Sequence, residues 1–235
     1  MMLGVKDVAQ LLSVSEKTVY RWISKKEIPV YRIGDTYRFN RIELMEWTTA
    51  KKIRISHTIF DGEDITSTVV PSLSEGIASG GIYYHVMGTV KEDVLQSIVK
   101  LMNLPDEVDR DYLLEALIAR ENLGSTAVGN GIAIPHIRNP IVFNIDKPII
   151  SLCFLEEGMD FKALDGKPVD TFFTIIAGSV KSHLALLSKL NYALYSLEFR
   201  DAINPASNRQ KILDTVSNFE ASLESAGDGS AEEDA

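Results

Sequence analysis

The sequence predicts an α/β unit whose mixed sheet is flanked by helices on both sides, preceded by a small unit of two helices and a β-hairpin. The 235 residues, 45% of them apolar, are sufficient for two domains. Charge is uneven: residues 1–55 carry 11 Lys and Arg against 6 Asp and Glu (net +5), and residues 56–235 carry 13 against 27 (net −14). After residue 81, helical and strand periods alternate, as in α/β domains.

Composition also excludes several classes of protein. No apolar run approaches membrane-spanning length, and the N-terminus lacks the layout of a signal peptide, so a cytoplasmic protein without membrane insertion is expected. The one cysteine, Cys153, excludes an internal disulfide framework. Because Cys153 lies in an apolar run, we expect it to be a small buried hydrophobic residue rather than a nucleophile.

The basic N-terminal segment has the pattern of two helices separated by a short turn. Apolar residues recur at helical spacing up to Leu12, and Ser13-Val14-Ser15 then interrupts them. Ser15 is expected to cap a second helix that runs from about Glu16 to Lys26. That helix separates its residues by face, with Val19, Trp22 and Ile23 on one side and Lys17, Thr18, Arg21, Ser24 and Lys25 on another.

The run VYRIGDTYRFN, residues 30–40, predicts a hairpin that turns at Gly34-Asp35. Two helices at a tight turn followed by a basic hairpin make a winged helix-turn-helix, whose second helix enters the DNA major groove while the wing contacts phosphate or the minor groove. We therefore predict a DNA-binding domain over residues 1–50, rather than an ordinary solvated charged surface. The candidate DNA-binding residues are Lys17, Thr18, Arg21, Lys25, Arg32 and Arg38.

Residues 3–48 resemble the excisionase branch of the MerR-like family. The Ser-Val-Ser turn, the Thr-Val-Tyr-Arg-Trp helix and the Arg-Ile-Gly wing follow one another in that family's order. A lone winged domain binds DNA weakly, which favours a homodimer, but no long heptad run follows Trp47 to form one in the MerR manner. The oligomeric state and the DNA sequence recognised stay open.

Two segments lack a regular apolar pattern. Residues 51–81 are rich in Ser, Thr and Gly and predict a linker, with one strand near residues 53–60. Residues 220–235 carry six acidic residues and no basic ones, which predicts a disordered tail. Between them, residues 82–219 predict the α/β domain. It contains a strand at residues 82–87, helices ending near Met102 and Asn122, two apolar strands around an Asp165-Gly166 turn, and a helix opened by Ser182-His183.

The segment GSTAVGNGIAIPHIRNP, residues 124–140, places three glycines and two prolines around His136. A P-loop is excluded because no Gly-Lys-Ser/Thr follows the glycines, and a metal site has little support because HxxxH and HExxH spacings are absent. A hydrolytic triad lacks its nucleophile, since GxSxG is absent. The remaining functional hypothesis is His136 as the acceptor of a phosphoryl group, aided by Arg120 or Arg138; the alternative is a surface histidine beside a tight turn.

The run ARENLGSTAVGNGIAIPH, within residues 82–215, is similar to the active-site signature of the enzyme IIA domains of the bacterial phosphoenolpyruvate-dependent sugar phosphotransferase system. The similarity is to the fructose/mannitol class, which includes the nitrogen-regulatory IIA proteins. It implies that His136 carries the phosphoryl group, that Arg120 supports it and that His183 lies beside the pocket. It also implies an HPr-type phosphocarrier protein as donor, with no metal or other cofactor. Gly129, Asn130 and Gly131 would shape the loop.

Transporting members pass the phosphoryl group to a IIB domain and a membrane IIC domain, and this chain contains neither. The expected function is therefore that of a cytoplasmic regulator of the nitrogen-regulatory type, in which the state of His136 controls DNA binding or the binding of a regulatory target protein. A second hypothesis is a phosphocarrier for a separately encoded sugar permease, with a IIB domain as partner. A third is a structural adaptor that transfers nothing.

Overall fold

The computed structural model describes residues 2–51, 53, 71–137 and 145–228 of the chain. The chain folds into two compact units, with the division between residues 68 and 69. Within the described ranges, none of the helices has the length and apolar character needed to cross a lipid bilayer. The two units are described one after the other.

The first unit is a helix-turn-helix with a hairpin. Its elements are β1 (Met2–Leu3), α1 (Val5–Leu11), α2 (Glu16–Ser24), β2 (Tyr31–Ile33), β3 (Thr36–Asn40) and α3 (Arg41–Ala50). Ser13 has the left-handed φ of 52° that turns the chain between α1 and α2. As predicted, Ser15 caps α2: its Oγ accepts a hydrogen bond from the Thr18 amide at 3.2 Å.

The hairpin of this unit is formed by β2 and β3, which pair antiparallel around Gly34 (φ +60°). β1 adds to the other edge of β3. Trp22 of α2 packs edge-on against Trp47 of α3, with ring centroids 5.3 Å apart. The most deeply buried apolar side chains of the unit include Val8, Leu11, Val19, Phe39 and Leu44.

The second unit is an α/β domain. Its first elements are α4 (Leu73–Gly80), β4 (Ile82–Val86), α5 (Lys91–Leu101), α6 (Arg110–Asn122), β5 (Ala127–Gly129) and β6 (Ile132–Ala133). They are followed by β7 (Ile149–Met159), β8 (Val169–Ile176), α7 (Val180–Ala193), α8 (Leu197–Ala202) and α9 (Arg209–Asp228).

The described strands of this domain form one five-stranded sheet in the order β4-β7-β8-β6-β5. β4 runs parallel to β7, and β6 runs parallel to β8, whereas β7 with β8 and β5 with β6 are antiparallel. Alternate residues of the long central strands point to opposite faces, so both faces are apolar. The predicted mixed sheet is confirmed.

Helices cover both faces of the sheet, which confirms the predicted layers. On one face α5 and α6 pack against side chains that include Ile149, Cys153, Phe172 and Ile176. On the other face α4, α7, α8 and α9 pack against side chains that include Ile150, Leu152, Phe154, Phe173 and Ile175. Burial raises the pKa of Cys153 to about 12, so its thiol is neutral at pH 7, as expected of a buried hydrophobic residue.

The segment predicted as a linker, residues 51–81, contains helix α4, so the prediction is wrong for residues 73–80. The glycines that suggest a linker instead allow close packing: a Cβ on Gly80 would lie 2.3 Å from the Ile150 carbonyl oxygen, and one on Gly76 would lie 2.9 Å from the Ile150 side chain. The predicted strand near residues 53–60 lies outside the described residues, except for Ile53, which is not in a strand.

The predicted disordered tail, residues 220–235, is also corrected in its first part. Helix α9 continues to Asp228, and both Glu220 and Leu223 are buried within it. Tertiary contacts of these side chains outweigh the acidic, small-residue composition that predicts disorder. Residues 229–235 lie outside the described part of the chain.

Candidate functional site

His136 lies three residues after β6 and is held by the sheet. The chain here still runs parallel to β8: the Ile175 amide donates to the Pro135 carbonyl at 3.0 Å, and His136 forms a β-bridge with Ile175. Only 4% of the His136 surface is exposed. The backbone that presents this ring is therefore fixed by the central sheet rather than left to a free loop.

The ring of His136 has a defined hydrogen-bonding role. Its Nδ1 lies 2.8 Å from the carbonyl oxygen of Ile134, two residues earlier. A carbonyl oxygen can only accept, so Nδ1 must carry the proton and donate it. In the neutral imidazole, the lone pair is then on Nε2.

His183 lies beside His136, with ring centroids 5.2 Å apart and an angle of 50° between the ring planes. It is fully buried on α7. The prediction that Ser182-His183 opens this helix is wrong, because α7 begins at Val180 with Ser179 as its cap. The His183 amide donates to the Ser179 carbonyl at 3.0 Å, so this amide is engaged within the helix.

Arg120 lies in the last turn of α6 and is 8% exposed. Its Nη1 donates to the Gly124 carbonyl at 2.9 Å, at the start of the segment that leads to β5. The guanidinium is thereby held where the helix ends. Arg138, the alternative cation in the sequence, lies outside the described residues.

The three residues Gly129, Asn130 and Gly131 turn the chain from β5 to β6. All have left-handed φ values, of 84°, 56° and 78° respectively, a conformation for which glycine and asparagine are suited. The Asn130 amide donates to Asp165 Oδ2 at 2.7 Å, which ties the turn to the loop between β7 and β8. These residues shape the hairpin that precedes His136.

A polar cluster lies where α6 leads into β5. It consists of Glu121, Thr126 and Lys91, three residues to which the sequence pattern assigns no role. The Glu121 side chain is 3% exposed and pairs with Lys91, the first residue of α5. The sequence does contain a signal for this: Glu121 continues the i, i+4 spacing of Leu113 and Leu117, which are buried. A carboxylate on the apolar face of a helix needs a buried partner.

No group of three or more His, Cys, Asp or Glu suited to hold a metal ion occurs among the described residues. The structure brings His136 and His183 into contact. It places Arg120 at the end of α6, hydrogen-bonded to the Gly124 carbonyl.

The candidate DNA-binding residues lie on α2 and the wing. Lys17, Arg21 and Lys25 are exposed and follow one another at i, i+4 spacing, so they form one stripe. Thr18 is half-buried at the N-terminal end of α2, and its Oγ1 is 3.0 Å from Ser15 Oγ, within the cap of that helix. Two further cations lie on the wing: exposed Arg32, paired with Asp35 at 3.7 Å, and half-buried Arg38.

Each of the two units matches a protein family model. Residues 79–219, more than half of the chain, match the model of the "Phosphoenolpyruvate-dependent sugar phosphotransferase system, EIIA 2" family. The chain belongs to this family. Residues 2–52 match a helix-turn-helix domain model. Both resemblances predicted from the sequence are therefore confirmed at the level of the family.

Two relatives of the EIIA 2 domain differ in how much of their own length the match covers. A nitrogen regulatory protein of Pseudomonas aeruginosa is 36% identical over 148 residues, which are 61% of this chain and 94% of that protein. The fructose-specific EIIABC component of Bacillus subtilis is 31% identical over 147 residues, but these are only 23% of that longer protein. The EIIA 2 domain thus resembles both a nearly whole regulatory protein and one part of a transport component.

Among solved structures, the EIIA 2 domain is similar to the nitrogen regulatory protein IIA-Ntr of Neisseria meningitidis. The two share 25% sequence identity with a TM-score of 0.54, and the similarity covers 61% of this chain and 98% of that one. The Pseudomonas protein is likewise matched over 94% of its length by 61% of this chain, which leaves it no room for a second unit of this size. The helix-turn-helix domain is therefore an addition with respect to that protein.

Proposed function

We propose that His136 accepts a phosphoryl group on Nε2 from the phosphohistidine of an HPr-type carrier, and that its phosphorylation state regulates DNA binding or the binding of a target protein. The hydrogen bond from His136 Nδ1 to the Ile134 carbonyl carries this proposal. It leaves the Nε2 lone pair as the nucleophile, so the ring needs no prior deprotonation.

The transfer requires only the two imidazoles. The Nε2 lone pair attacks the phosphorus atom and a new N–P bond forms, while the N–P bond of the carrier breaks with its electron pair returning to the carrier's nitrogen. The His136 ring keeps its Nδ1 proton, and the carrier's ring leaves as a neutral imidazole because its other nitrogen carries a proton. Positioning and charge neutralisation supply the catalysis of such an in-line transfer. An in-line transfer requires the carrier to bring its phosphorylated ring directly to His136.

Arg120 and His183 are assigned supporting roles. The guanidinium of Arg120, held by the Gly124 carbonyl, would neutralise charge on the phosphoryl oxygens, where a planar cation with several donors is well suited. His183, with its ring centroid 5.2 Å from that of His136, would contact the phosphorylated ring or its phosphoryl group. Neither role requires a metal ion.

The first experiment tests the phosphoryl acceptor. Incubated with phosphoenolpyruvate, enzyme I and an HPr-type carrier, the full chain should gain one acid-labile, base-stable phosphate. His136→Ala should gain none. The matched control is His85→Ala, because His85 is an exposed histidine of the same domain, paired with Glu156. A phosphate retained in His136→Ala would overturn the assignment.

The regulatory part of the proposal is supported by two facts. The relative that is covered over 94% of its length is a nitrogen regulatory protein, and this chain adds a helix-turn-helix domain with an exposed cationic stripe on α2. A stripe of cations on the second helix of such a domain suits phosphate contacts along the major groove.

The second experiment measures DNA affinity of the full chain. Arg21→Ala should weaken DNA binding and should reduce the slope of log K against log salt concentration by about one. Arg38→Ala should act similarly. Lys6→Ala is the control, because Lys6 is an exposed cation on α1, outside the stripe. Phosphorylation of His136 should change DNA affinity by at least about fivefold, the lower end of allosteric coupling.

A second candidate function is that of a phosphocarrier for a separately encoded fructose/mannitol-type permease. The 31% identity to a fructose-specific EIIABC component favours it. In that case the phosphorylated chain should pass its phosphoryl group to a IIB domain. Equal DNA affinity in both phosphorylation states, at low and at physiological salt, would reject the DNA switch in favour of this function or of a regulatory protein partner.

A further inference from the structure

We infer that Glu121 is a positioning residue for His136: it holds the backbone segment whose hydrogen bonds set the tautomer of the His136 ring. This inference rests on the proposed function, because its consequence for activity requires that His136 accept a phosphoryl group. It concerns side chains on α5 and α6 that lie beneath the segment leading to β5, not the histidine pair itself.

The first link joins Glu121 to Thr126. Glu121 Oε2 accepts hydrogen bonds from the Thr126 amide at 2.9 Å and from the Thr126 Oγ1 hydroxyl at 2.8 Å. Both residues are buried. Two donors from one residue to one carboxylate oxygen fix the position and the orientation of that residue's backbone.

The second link continues from Thr126 to His136. The Thr126 carbonyl accepts from the Ile134 amide at 3.0 Å, and the Ile134 carbonyl accepts from His136 Nδ1 at 2.8 Å. The amide and carbonyl of Ile134 thus connect the two hydrogen bonds. If Thr126 moves, the Ile134 amide loses its partner, and the acceptor for Nδ1–H is no longer fixed.

Lys91 and Arg120 complete the arrangement. The Lys91 ammonium pairs with Glu121 Oε1 and lies 4.5 Å from the centroid of the Phe161 ring, so the carboxylate has donors on both oxygens. Arg120, the preceding residue, donates to the Gly124 carbonyl. One turn of α6 therefore holds both ends of the segment from Gly124 to Thr126.

This geometry favours a positioning role over acid–base chemistry. Glu121 Oε2 is occupied by two Thr126 donors and Oε1 by Lys91, so the carboxylate faces its partners and not the histidine pair. Its influence on His136 passes through two backbone hydrogen bonds. Removing it should change the ring's tautomer and the rate of transfer rather than abolish the acceptor nitrogen.

The test combines ring nitrogen NMR with transfer kinetics on the full chain. In unphosphorylated wild type, His136 should carry its proton on Nδ1; Glu121→Ala should show a mixture of both tautomers. The transfer rate at saturating phosphorylated carrier should fall about tenfold, while KM for the carrier stays within about twofold. Glu121→Gln keeps an acceptor for Thr126 and should restore the tautomer and most of the rate.

The matched control is Glu115→Ala, because Glu115 is an exposed glutamate on the same helix. It should change neither quantity. If circular dichroism shows that Glu121→Ala does not fold, Thr126→Val is tested in its place. It should shift the His136 tautomer and the transfer rate in the same directions, by smaller amounts. A wild-type tautomer and a wild-type rate in the folded variant would overturn the inference.

The two readouts separate this inference from the proposed function. The tautomer is measured without any phosphoryl transfer. If wild type accepts no phosphoryl group but Glu121→Ala still alters the tautomer, the proposed function fails and the positioning role stands. If wild type is phosphorylated and Glu121→Ala changes neither readout, only the positioning role fails.

Discussion

Two buried glutamates of the second unit, Glu121 and Glu220, use similar contacts on opposite faces of its sheet. Glu121, on α6, accepts from the amide and hydroxyl of Thr126 and pairs with Lys91. Glu220, on α9, accepts from the amides of Leu73 and Ser74 and pairs with Lys189 at 3.4 Å. In each case an otherwise costly buried carboxylate is compensated by at least one backbone amide, at least one hydroxyl and one ammonium group.

The difference lies in what each carboxylate holds. Glu121 holds the segment that leads, through two backbone hydrogen bonds, to the ring of His136. Glu220 holds the first turn of α4, a helix that contributes Leu73 and Ile77 to the opposite core. Similar chemistry can therefore serve a site in one place and the attachment of a helix in the other. Loss of the first should alter transfer, and loss of the second should alter stability.

The largest effect is expected at Arg120, which shares its helical turn with Glu121. Arg120→Ala should slow phosphoryl transfer by about 10²-fold or more, because a guanidinium beside developing charge matters most in the transition state. Transfer rates with the purified carrier measure this. Lys100→Ala, which removes an exposed cation from α5, should transfer at the wild-type rate. A wild-type rate in Arg120→Ala would move the role to Arg138.

The next effect is on stability, at Glu220. Glu220→Ala should lower the free energy of unfolding of the second unit by about 2–3 kcal/mol, because it leaves buried amide donors without their acceptor and removes the counter-charge of Lys189. Urea unfolding followed by far-UV circular dichroism measures this. Both tryptophans, Trp22 and Trp47, lie in the helix-turn-helix domain, so their fluorescence reports that domain as an internal control.

The same variant also tests the comparison between the two glutamates. Glu220→Ala should transfer phosphoryl groups within about twofold of the wild-type rate when it is folded, since it touches no part of the segment before His136. A tenfold loss of transfer in a folded Glu220→Ala would show that the two faces are not independent.

A smaller effect is expected at Ser74, whose Oγ donates to Glu220 Oε2 at 2.9 Å. Ser74→Ala removes this donor but leaves the Ser74 amide in place, at 3.0 Å from the same oxygen. We expect a loss of about 1 kcal/mol, the usual contribution of one intramolecular hydrogen bond. Ser222→Ala is the control, because the exposed Ser222 on α9 donates within its own helix, to the Phe219 carbonyl. A loss equal to that of Glu220→Ala would be inconsistent with this assignment.

The sequence predicts the layers of the fold and the position of His136, but neither glutamate's role. Periodicity identifies the strands and the helices, and the run before His136 is specific to one family. The partner of Glu121 is Lys91, 30 residues earlier, and the Glu220 contact with Leu73 spans 147 residues. Such pairings depend on how α5 packs beside α6 and α4 beside α9. The local sequence pattern carries no information about this packing.

Composition predicts the wrong structure for two segments, because residues that usually lie in linkers or tails are buried there. Helix α4 is rich in glycine and serine, as linkers are, because its small residues must approach β7 closely at Ile150. The acidic stretch from Glu220 onward has the composition of a disordered tail, yet Glu220 is the acceptor for the first turn of α4. In both segments a residue type that usually indicates solvent exposure makes a specific buried contact.

The smallest effect is the pH dependence that Glu220 contributes to stability. Burial raises the pKa of Glu220, but hydrogen bonds from the amides of Ser74 and Leu73 and from the hydroxyls of Ser72 and Ser74 outweigh it, so its pKa in the folded protein is lowered. A lowered pKa means that the carboxylate stabilises the fold above the ordinary glutamate pKa of about 4.3, and that this contribution is lost as pH falls through the lower folded value.

The Glu220→Gln variant has no carboxylate to titrate at this position. The difference in free energy of unfolding between wild type and Glu220→Gln, measured by urea and circular dichroism, should therefore be largest near pH 7 and shrink below pH ~4.3. A difference that stays constant or grows on acidification would contradict the charge-dependent role of Glu220.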